Sequence, residues 1–171
     1  MTTTPPVLAW HFCAERDGRP IMRDGTPVVA GETVRHTGPL VLCESGYHAS
    51  VRAIDALDYA PGAWVQRVEC DGETIAEDDK LDCRERTCLW VADATRSLHE
   101  FALDEAERAL ALIESPEPRS VEALAVKRRW LDGDATDAEL AAARDAAWDV
   151  ARAAANGRLT ARLESLRGPQ T

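Results

Sequence analysis

The chain has 171 residues, 45% of them hydrophobic, and a formal net charge of −10 at pH 7. This length fits one domain, or one domain with an appendage. The negative charge argues against nonspecific binding to a nucleic-acid backbone, which requires a net basic face. It is compatible with a partner protein that has a basic surface, and it also serves ordinary solubility.

The cysteines indicate the compartment in which the protein works. The five are Cys13, Cys43, Cys70, Cys83 and Cys88. Their number is odd, no secretory signal precedes them and no pair has C-x-x-C spacing, so we expect reduced thiols used as small apolar residues in the cytoplasm. No His and Cys pairs converge at zinc-site spacing, and no apolar run reaches the ~18 residues of a membrane helix. The sequence therefore predicts a soluble protein with no metal and no membrane contact.

Strand signals fill the first half of the chain. Apolar or alternating runs bounded by turn residues predict strands over 7–13, 27–34, 63–70, 73–76 and 87–91. Asp71-Gly72 is a strong turn signal between the third and fourth of these strands, and residues 77–80 form a charged loop. One short helix interrupts the strands, because apolar residues recur at helical spacing over 51–60 and Pro61-Gly62 then stops the helix.

Helix signals fill the second half, where glycine is rare and alanine dominates. The apolar spacing predicts a helix over 96–114 and a second over 120–131, capped by Ser120. The residues Thr136 to Glu139 form a capping box that opens a long Ala-rich helix reaching about residue 166. The pair Asn156-Gly157 inside this helix is a signal for a kink or an end.

The order of these elements predicts an α+β fold in two parts. Residues 7–92 form a small mixed, mostly antiparallel sheet with one short helix, because strands dominate there. Residues 93–168 form a helical region that either packs on the first part or projects from it. The long Ala-rich helix is also a candidate surface for homo-oligomerisation.

Two histidines and an aromatic residue are the first candidates for a site. Tyr47 and His48 follow Gly46 at a strand-to-helix turn, where side chains reach an exposed edge and backbone N–H groups face an anionic ligand. His48 is then an acid, a base or a hydrogen-bonding group for a ligand; the alternative is that both side chains only close the sheet edge. His11 lies within an apolar strand, where it either lines a cleft or is buried with a partner.

Acidic residues supply the remaining candidates. Glu69 lies on a later strand and is a candidate acid for the same site. Asp78 and Asp79, followed by the charged run 84–86, are either a solvated loop or a surface that recognises a partner.

Two runs of residues carry a resemblance to an uncharacterised domain family that is common in bacteriophage and prophage genomes. They are Gly46-Tyr47-His48-Ala49 and Asp55-Ala56-Leu57-Asp58-Tyr59-Ala60, which match a G-[FWY]-H-A pattern followed by D-[AVC]-[LF]-x-Y-[AY]. The resemblance covers about residues 7–95. It implies a phage context rather than a defined chemistry.

A second resemblance is to the ADP-ribosyltransferase fold. In that fold a first strand bears a histidine and a later strand and short helix each bear a tyrosine, as His11, Tyr47 and Tyr59 do here. The resemblance implies that His11 holds the nicotinamide ribose of NAD and that the two tyrosines flank the nicotinamide. Glu69 takes the place of the catalytic glutamate, while Phe12 departs from the small residue that usually follows the histidine.

Taken together, these features favour a phage-type accessory protein that binds another protein and carries no cofactor. Inhibition of a host defence complex through its basic surface is the specific hypothesis. Tyr47, His48, Asp78 and Asp79 are then the binding residues. The alternative is an NAD-binding transferase that uses His11, Tyr47, Tyr59 and Glu69.

Overall fold

A computed structural model describes residues 5–42 and 44–164 of the chain. These residues divide between Thr95 and Arg96 into two compact units, called here the β unit and the helical unit. The elements of the β unit are β1 (Val7–Arg16), β2 (Arg19–Ile21), β3 (Thr33–Arg35), β4 (Tyr47–Ala49), α1 (Ala53–Asp58), β5 (Trp64–Ala76) and β6 (Leu81–Asp93).

The strands of the β unit form a sheet in the order β2-β1-β5-β6-β3, and β4 pairs with the first residues of β6. All the pairs found among the described residues are antiparallel. Ser50 and Trp10 also exchange two backbone hydrogen bonds, at 2.7 and 2.9 Å. Because Ser50 directly follows β4, these bonds join β4 to β1, and the sheet curls back on itself.

The curl encloses the main apolar core of the β unit. Its buried members come from β1, β4, β5 and β6, and they are Ala9, Ala49, Val68, Cys70, Leu81 and Cys83. A second buried cluster joins Cys13 and Cys88 to Val28, which lies in the loop before β3. The described cysteines are free and buried, as expected for small apolar residues in a reduced protein.

The α+β prediction is confirmed, but two local predictions in the β unit are wrong. Asp71-Gly72 is not a hairpin turn: β5 continues through it to Ala76, and the pairing with β6 shifts register between Asp71 and Thr74. Gly72 has a φ of +74°, and one or two residues in such a conformation form a bulge that bends a strand without ending it. The hairpin turn lies instead at residues 77–80, closed by a 2.9 Å bond from the Glu77 N–H to the Lys80 carbonyl.

The second wrong prediction is the strand over 27–34. Only Thr33–Arg35 forms a strand in this region. Pro27 lacks the N–H that a sheet ladder uses, and Gly31 has a φ of +86°, so the chain bends between them. This bend allows Val28 to reach the second buried cluster.

The helical unit consists of α2 (Thr95–Ala111), α3 (Pro118–Asp132) and α4 (Asp137–Glu164). The Glu117 side chain, rather than Ser120, caps α3, because it accepts a 3.0 Å hydrogen bond from the Ser120 N–H. The predicted capping box of α4 is confirmed: the Thr136 N–H donates to Glu139 Oε2 at 2.7 Å, and the Glu139 N–H donates to Thr136 Oγ1 at 3.2 Å. The helix does not end at Asn156-Gly157 but continues to Glu164.

Charged and aromatic contacts join the helices of this unit. Arg128 on α3 donates to both carboxylate oxygens of Glu107 on α2, at 2.7 and 2.6 Å. The Lys127 ammonium lies 4.1 Å from the centre of the Trp130 ring and 3.0 Å from His99 Nδ1 of α2. Over the described residues, none of the helices combines the length and the apolar composition that crossing a bilayer requires.

Gly62, the last residue of the predicted helix stop, provides a test of the β unit. A Cβ at this position would lie 2.9 Å from the Cys13 carbonyl oxygen and 3.2 Å from Ala14 Cα. Because both atoms belong to the backbone of β1, they cannot move aside cheaply. We expect Gly62→Ala to lower the free energy of unfolding by about 1–3 kcal/mol, measured by urea denaturation.

Gly157→Ala is the matched control for this substitution. A Cβ at Gly157 meets no atom within 4 Å. Alanine is also favoured over glycine inside a helix by up to ~1 kcal/mol. We therefore expect the control variant to be at least as stable as the wild type, and a Gly62→Ala protein that matches it would contradict the close approach to β1.

Candidate functional site

Arg86 on β6 is the centre of the first candidate site. Arg86 is only 5% exposed, and its side chain lies on the same face of the strand as the buried Cys88. Nη1 of Arg86 donates a 2.6 Å hydrogen bond to the backbone carbonyl of His48. The guanidinium carbon also lies 5.3 Å from the centre of the Tyr47 ring, within the range of a cation–π interaction. A buried cation therefore links β6 to β4, the strand that precedes α1.

His11 reaches the same place from β1. It lies opposite Gln66 of β5, on the face of the sheet that carries the buried Val68 and Cys70. Burial holds the pKa of His11 well below its ordinary value, and the positive charge of Arg86 and the His48 imidazole act in the same direction. The backbone of His48, which forms a hydrogen bond with His11, opposes this shift. The imidazole of His11 is therefore neutral at pH 7.

His48 pairs with Asp82 across the β4–β6 ladder. His48 Nε2 lies 3.3 Å from Asp82 Oδ1, and the Asp82 side chain is fully buried, whereas that of His48 is 37% exposed. Burial lowers the pKa of His48, and the nearby Asp82 carboxylate only partly offsets this effect. The pair therefore presents a half-exposed imidazole whose other side is held by a buried acid.

Two buried thiols complete the surroundings of Arg86. Cys70 lies opposite Arg86 in the ladder, and Cys83 donates a 3.3 Å hydrogen bond from Sγ to the Tyr47 carbonyl. A hydrogen bond between the two thiols lowers the pKa of Cys70 and raises that of Cys83. Burial raises the pKa of the nearby Cys13 and Cys88 thiols.

A second candidate site is an open groove between α1 and the 77–80 turn, called here the acidic groove. It has a volume of about 440 Å³ and is lined by Val51, Arg52, Asp55, Ala76, Glu77, Asp78, Asp79, Lys80 and Leu81. Arg52 donates to both carboxylate oxygens of Asp55, at 2.6 and 2.7 Å. Lys80 Nζ lies 3.6 Å from a Glu77 carboxylate oxygen.

Tyr59 belongs to this second region. Its hydroxyl donates a hydrogen bond to Asp79, and Lys80 Nζ lies 5.5 Å from the centre of its ring. The hydrogen bond from Tyr59 holds the pKa of Asp79 below its ordinary value, so the carboxylate stays charged to lower pH. Tyr59 thus ties the end of α1 to the hairpin turn.

The structure therefore sorts the candidate residues into three places. His11, Tyr47 and His48 meet around Arg86. Tyr59, Asp78 and Asp79 lie at or beside the acidic groove. Glu69 alternates with the buried Val68 and Cys70 on β5, so it lies on the opposite face of the sheet from His11 and does not join it.

Arg86 and Asp82 are the residues that the sequence reading missed. The charged run 84–86 is part of β6 and not of a solvated loop, so that interpretation is wrong. Arg86 lies two residues before Cys88, and alternate residues of a strand share a face. This spacing is the sequence signal that places Arg86 on the buried face. Asp82 lies between two buried apolar residues, Leu81 and Cys83, and carries no comparable sequence signal.

The chemistry available at these sites is acid–base and electrostatic. The His48–Asp82 pair can accept and hold a proton, and Arg86 supplies a fixed positive charge. Across residues 5–42 and 44–164, no group of three or more His, Cys, Asp or Glu side chains is placed to hold a metal ion.

Comparison with known proteins places part of the chain in a described family. Residues 22–100 match the model of a family described as a domain of unknown function (DUF7666). The matched segment begins after β1 and β2, so it includes Tyr47, His48, Asp82 and Arg86 but not His11. No curated protein and no solved structure matches the chain. The match supports the prediction of an uncharacterised domain family, while the phage context stays a prediction.

The low pKa of His11 predicts how stability depends on pH. As the pH falls below about 6.5, the unfolded chain protonates this histidine while the folded protein keeps it neutral. The free energy of unfolding therefore decreases as the pH is lowered, by up to ~1.4 kcal/mol per pH unit for one histidine. The decrease ends where the folded protein also binds the proton. We expect His11→Gln to lose less stability than the wild type between pH 7 and 5.

Urea denaturation at half-unit pH intervals measures this difference, because the carboxylates contribute equally in both proteins. A proton NMR titration of His11 in the folded wild type supplies a direct check of the low pKa. Equal losses of stability in the two proteins, together with an ordinary titration of His11, would contradict the burial of a neutral imidazole.

Proposed function

We propose that this protein acts by binding another protein and that the acidic groove is its main contact surface. The observation that carries the proposal is the grouping of four carboxylates around an open groove, with Tyr59 fixing one of them. A groove of this size lies within the 300–1,000 Å³ range of pockets that bind small molecules or single side-chain groups.

The charge balance of the groove favours a basic ligand group. Its two cations are already engaged, since Arg52 pairs with Asp55 and Lys80 with Glu77. The lining holds four carboxylates and two cations, so the groove keeps an excess of negative charge, and Asp78 and Asp79 lie next to each other in it. In the part of the chain that the structure describes, no ion pair is formed by Asp78, and Asp79 accepts a hydrogen bond from the Tyr59 hydroxyl. A lysine or arginine side chain of the partner is the group that complements this pair.

The net charge of the chain also favours a basic partner, and it acts at longer range than the groove. A charge of −10 attracts a basic surface and raises the rate of association at low salt. Together with the resemblance to phage and prophage domains, this charge supports a phage accessory role. In that role the protein occupies the basic, nucleic-acid-binding surface of a host defence complex.

The alternative, an NAD-binding transferase, has one observation in its favour. His11 and Tyr47 both lie beside Arg86, as a shared site requires. Tyr59 lies at the acidic groove instead, and Glu69 is on the opposite face of the sheet. We therefore favour protein binding. Calorimetry with NAD distinguishes the two, since the transferase requires binding that is lost in His11→Ala.

Neutralising the groove tests the proposal. We expect the triple variant Glu77→Gln, Asp78→Asn and Asp79→Asn to lose at least tenfold in affinity for the partner, because each removed charge weakens its attraction to a basic surface. The partner is first recovered from host lysate with the immobilised wild-type protein, and affinities are then measured by titration at low and at physiological salt.

The matched control removes three exposed acids from the helical unit by Glu114→Gln, Glu122→Gln and Asp149→Asn. Its net charge equals that of the groove variant, so a general effect of charge would weaken both variants equally. Loss of binding in the groove variant alone supports the proposal. Recovery of no partner, or equal affinities of the two variants, would count against it.

A further inference from the structure

The second half of α4 extends beyond the face that packs in the helical unit. The half-buried residues of α4 mark the face that packs on α3. They are Leu140, Ala143, Ala146, Ala147 and Val150. From Ala151 to Thr160 every residue is exposed, and this segment contains Gly157, which costs a helix up to ~1 kcal/mol relative to alanine. The helix nevertheless continues to Glu164, although the described residues give this half little of the tertiary packing that usually stabilises a helix.

A second apolar face, called here the α4 stripe, runs along this helix away from α3. Its large members are Trp148, which is 66% exposed, and Leu159 and Leu163, which are each more than half exposed. Ala141 and Ala155 are also exposed and lie seven residues on either side of Trp148. At 3.6 residues per turn, these five residues occupy a strip ~80° wide. Because one apolar stripe is enough for packing on α3, the α4 stripe indicates a second contact.

The helical unit also has a small core of its own. Among its described residues, the buried apolar side chains are those of Leu103, Val126 and Leu131. A unit with so small a core usually needs additional stabilisation, and oligomerisation is one of its common sources. Burial of the α4 stripe against another chain would add apolar contacts to this unit.

The charge pattern of α4 points to a second copy of the same chain as the partner. Residues 137–149 contain four acids and one arginine, whereas residues 150–163 contain three arginines and no acid. When two α4 helices lie antiparallel about a two-fold axis near residue 150, the basic segment of each helix faces the acidic segment of the other. A parallel pair would instead place like charges side by side.

We propose that the protein forms a homodimer in which two α4 helices pair antiparallel along the α4 stripe. In this arrangement Leu159 of one copy packs on Ala141 of the other, so a large side chain meets a small one. Trp148 lies near the axis, beside Arg152 of the other copy, where a cation–π interaction can form. The contact extends over residues 137–163, a length of ~40 Å. The acidic groove belongs to the β unit, so the dimer is independent of the proposed protein binding.

Sedimentation velocity at increasing protein concentration tests the proposal with the full chain alone. Physiological salt is used because it screens the repulsion between two chains of like net charge. We expect the fraction of dimer to rise with concentration. Leu159→Glu removes an apolar contact and brings a negative charge to the acidic segment of the other copy, so we expect the dissociation constant of the dimer to rise at least tenfold. Leu159→Lys removes the same contact but brings a positive charge, so we expect a smaller rise.

Leu112→Glu is the matched control, because it makes the same change at an 88% exposed leucine that lies outside α4. We expect its dissociation constant to equal that of the wild type. Glutamate and lysine are both good helix formers, and circular dichroism verifies that each variant is folded. A protein that stays monomeric at every concentration, or equal weakening by Leu159→Glu and Leu112→Glu, would overturn the proposal. Equal effects of glutamate and lysine at position 159 would contradict the charge pairing.

Cross-linking of introduced cysteines with a short bismaleimide tests the orientation of the two helices. In the antiparallel pair, Ala151→Cys lies near the axis and close to its own copy, whereas Ala141→Cys lies ~27 Å along the helix from its own copy. We therefore expect Ala151→Cys to give covalent dimers and Ala141→Cys to give no more than the wild type, whose native cysteines set the background. Cross-linking of both variants would indicate a parallel pair and overturn the proposed arrangement.

Discussion

The pairing of β5 with β6 is the interaction on which the β unit depends. Both strands are 13 residues long, and their ladder runs from Trp64 opposite Asp93 to Ala76 opposite Leu81. Every other strand except β2 is paired directly with one of these two. Two register shifts interrupt the ladder. Such irregularities increase the local twist of a strand, and the sheet curls far enough for Ser50 to bond to β1.

The curl explains why a charged residue is buried at its centre. Closing β4 against both β6 and β1 brings the carbonyl of His48 over the inner face of the sheet, where Arg86 can donate to it. The interaction satisfies a backbone acceptor at the place where the short strand β4 gives way to α1. The same closure brings His11 of β1 next to His48. Arg86 is therefore both a structural link between β6 and β4 and a buried positive charge inside the β unit.

Local features of the fold could be predicted from single stretches of sequence. The capping box at Thr136 involves neighbouring residues, and it formed where the sequence indicated. The short helix predicted over 51–60 also formed, but it is shorter, Ala53–Asp58, and ends before Pro61-Gly62. Predictions that required a choice between local and distant partners were less successful. Asp71-Gly72 is a strong turn signal, but extending the β5–β6 ladder to Ala76 adds cross-strand bonds that a turn there would forgo. The chain therefore accommodates the glycine as a bulge.

The candidate site shows the same difference between features set by neighbouring residues and features set by distant ones. The sequence determined that the acids at 78–79 lie in an exposed loop and that the fold is α+β. It placed Tyr47 and His48 at a strand-to-helix turn, whereas they form the short strand β4 that precedes this turn. Only the tertiary structure decided that His11 meets His48 around Arg86 while Glu69 faces away. The physical reason is that alternation along a strand fixes two faces, whereas the register and bulges between strands decide which side chains become neighbours. Register and bulges depend on hydrogen bonds between residues that are far apart in the chain.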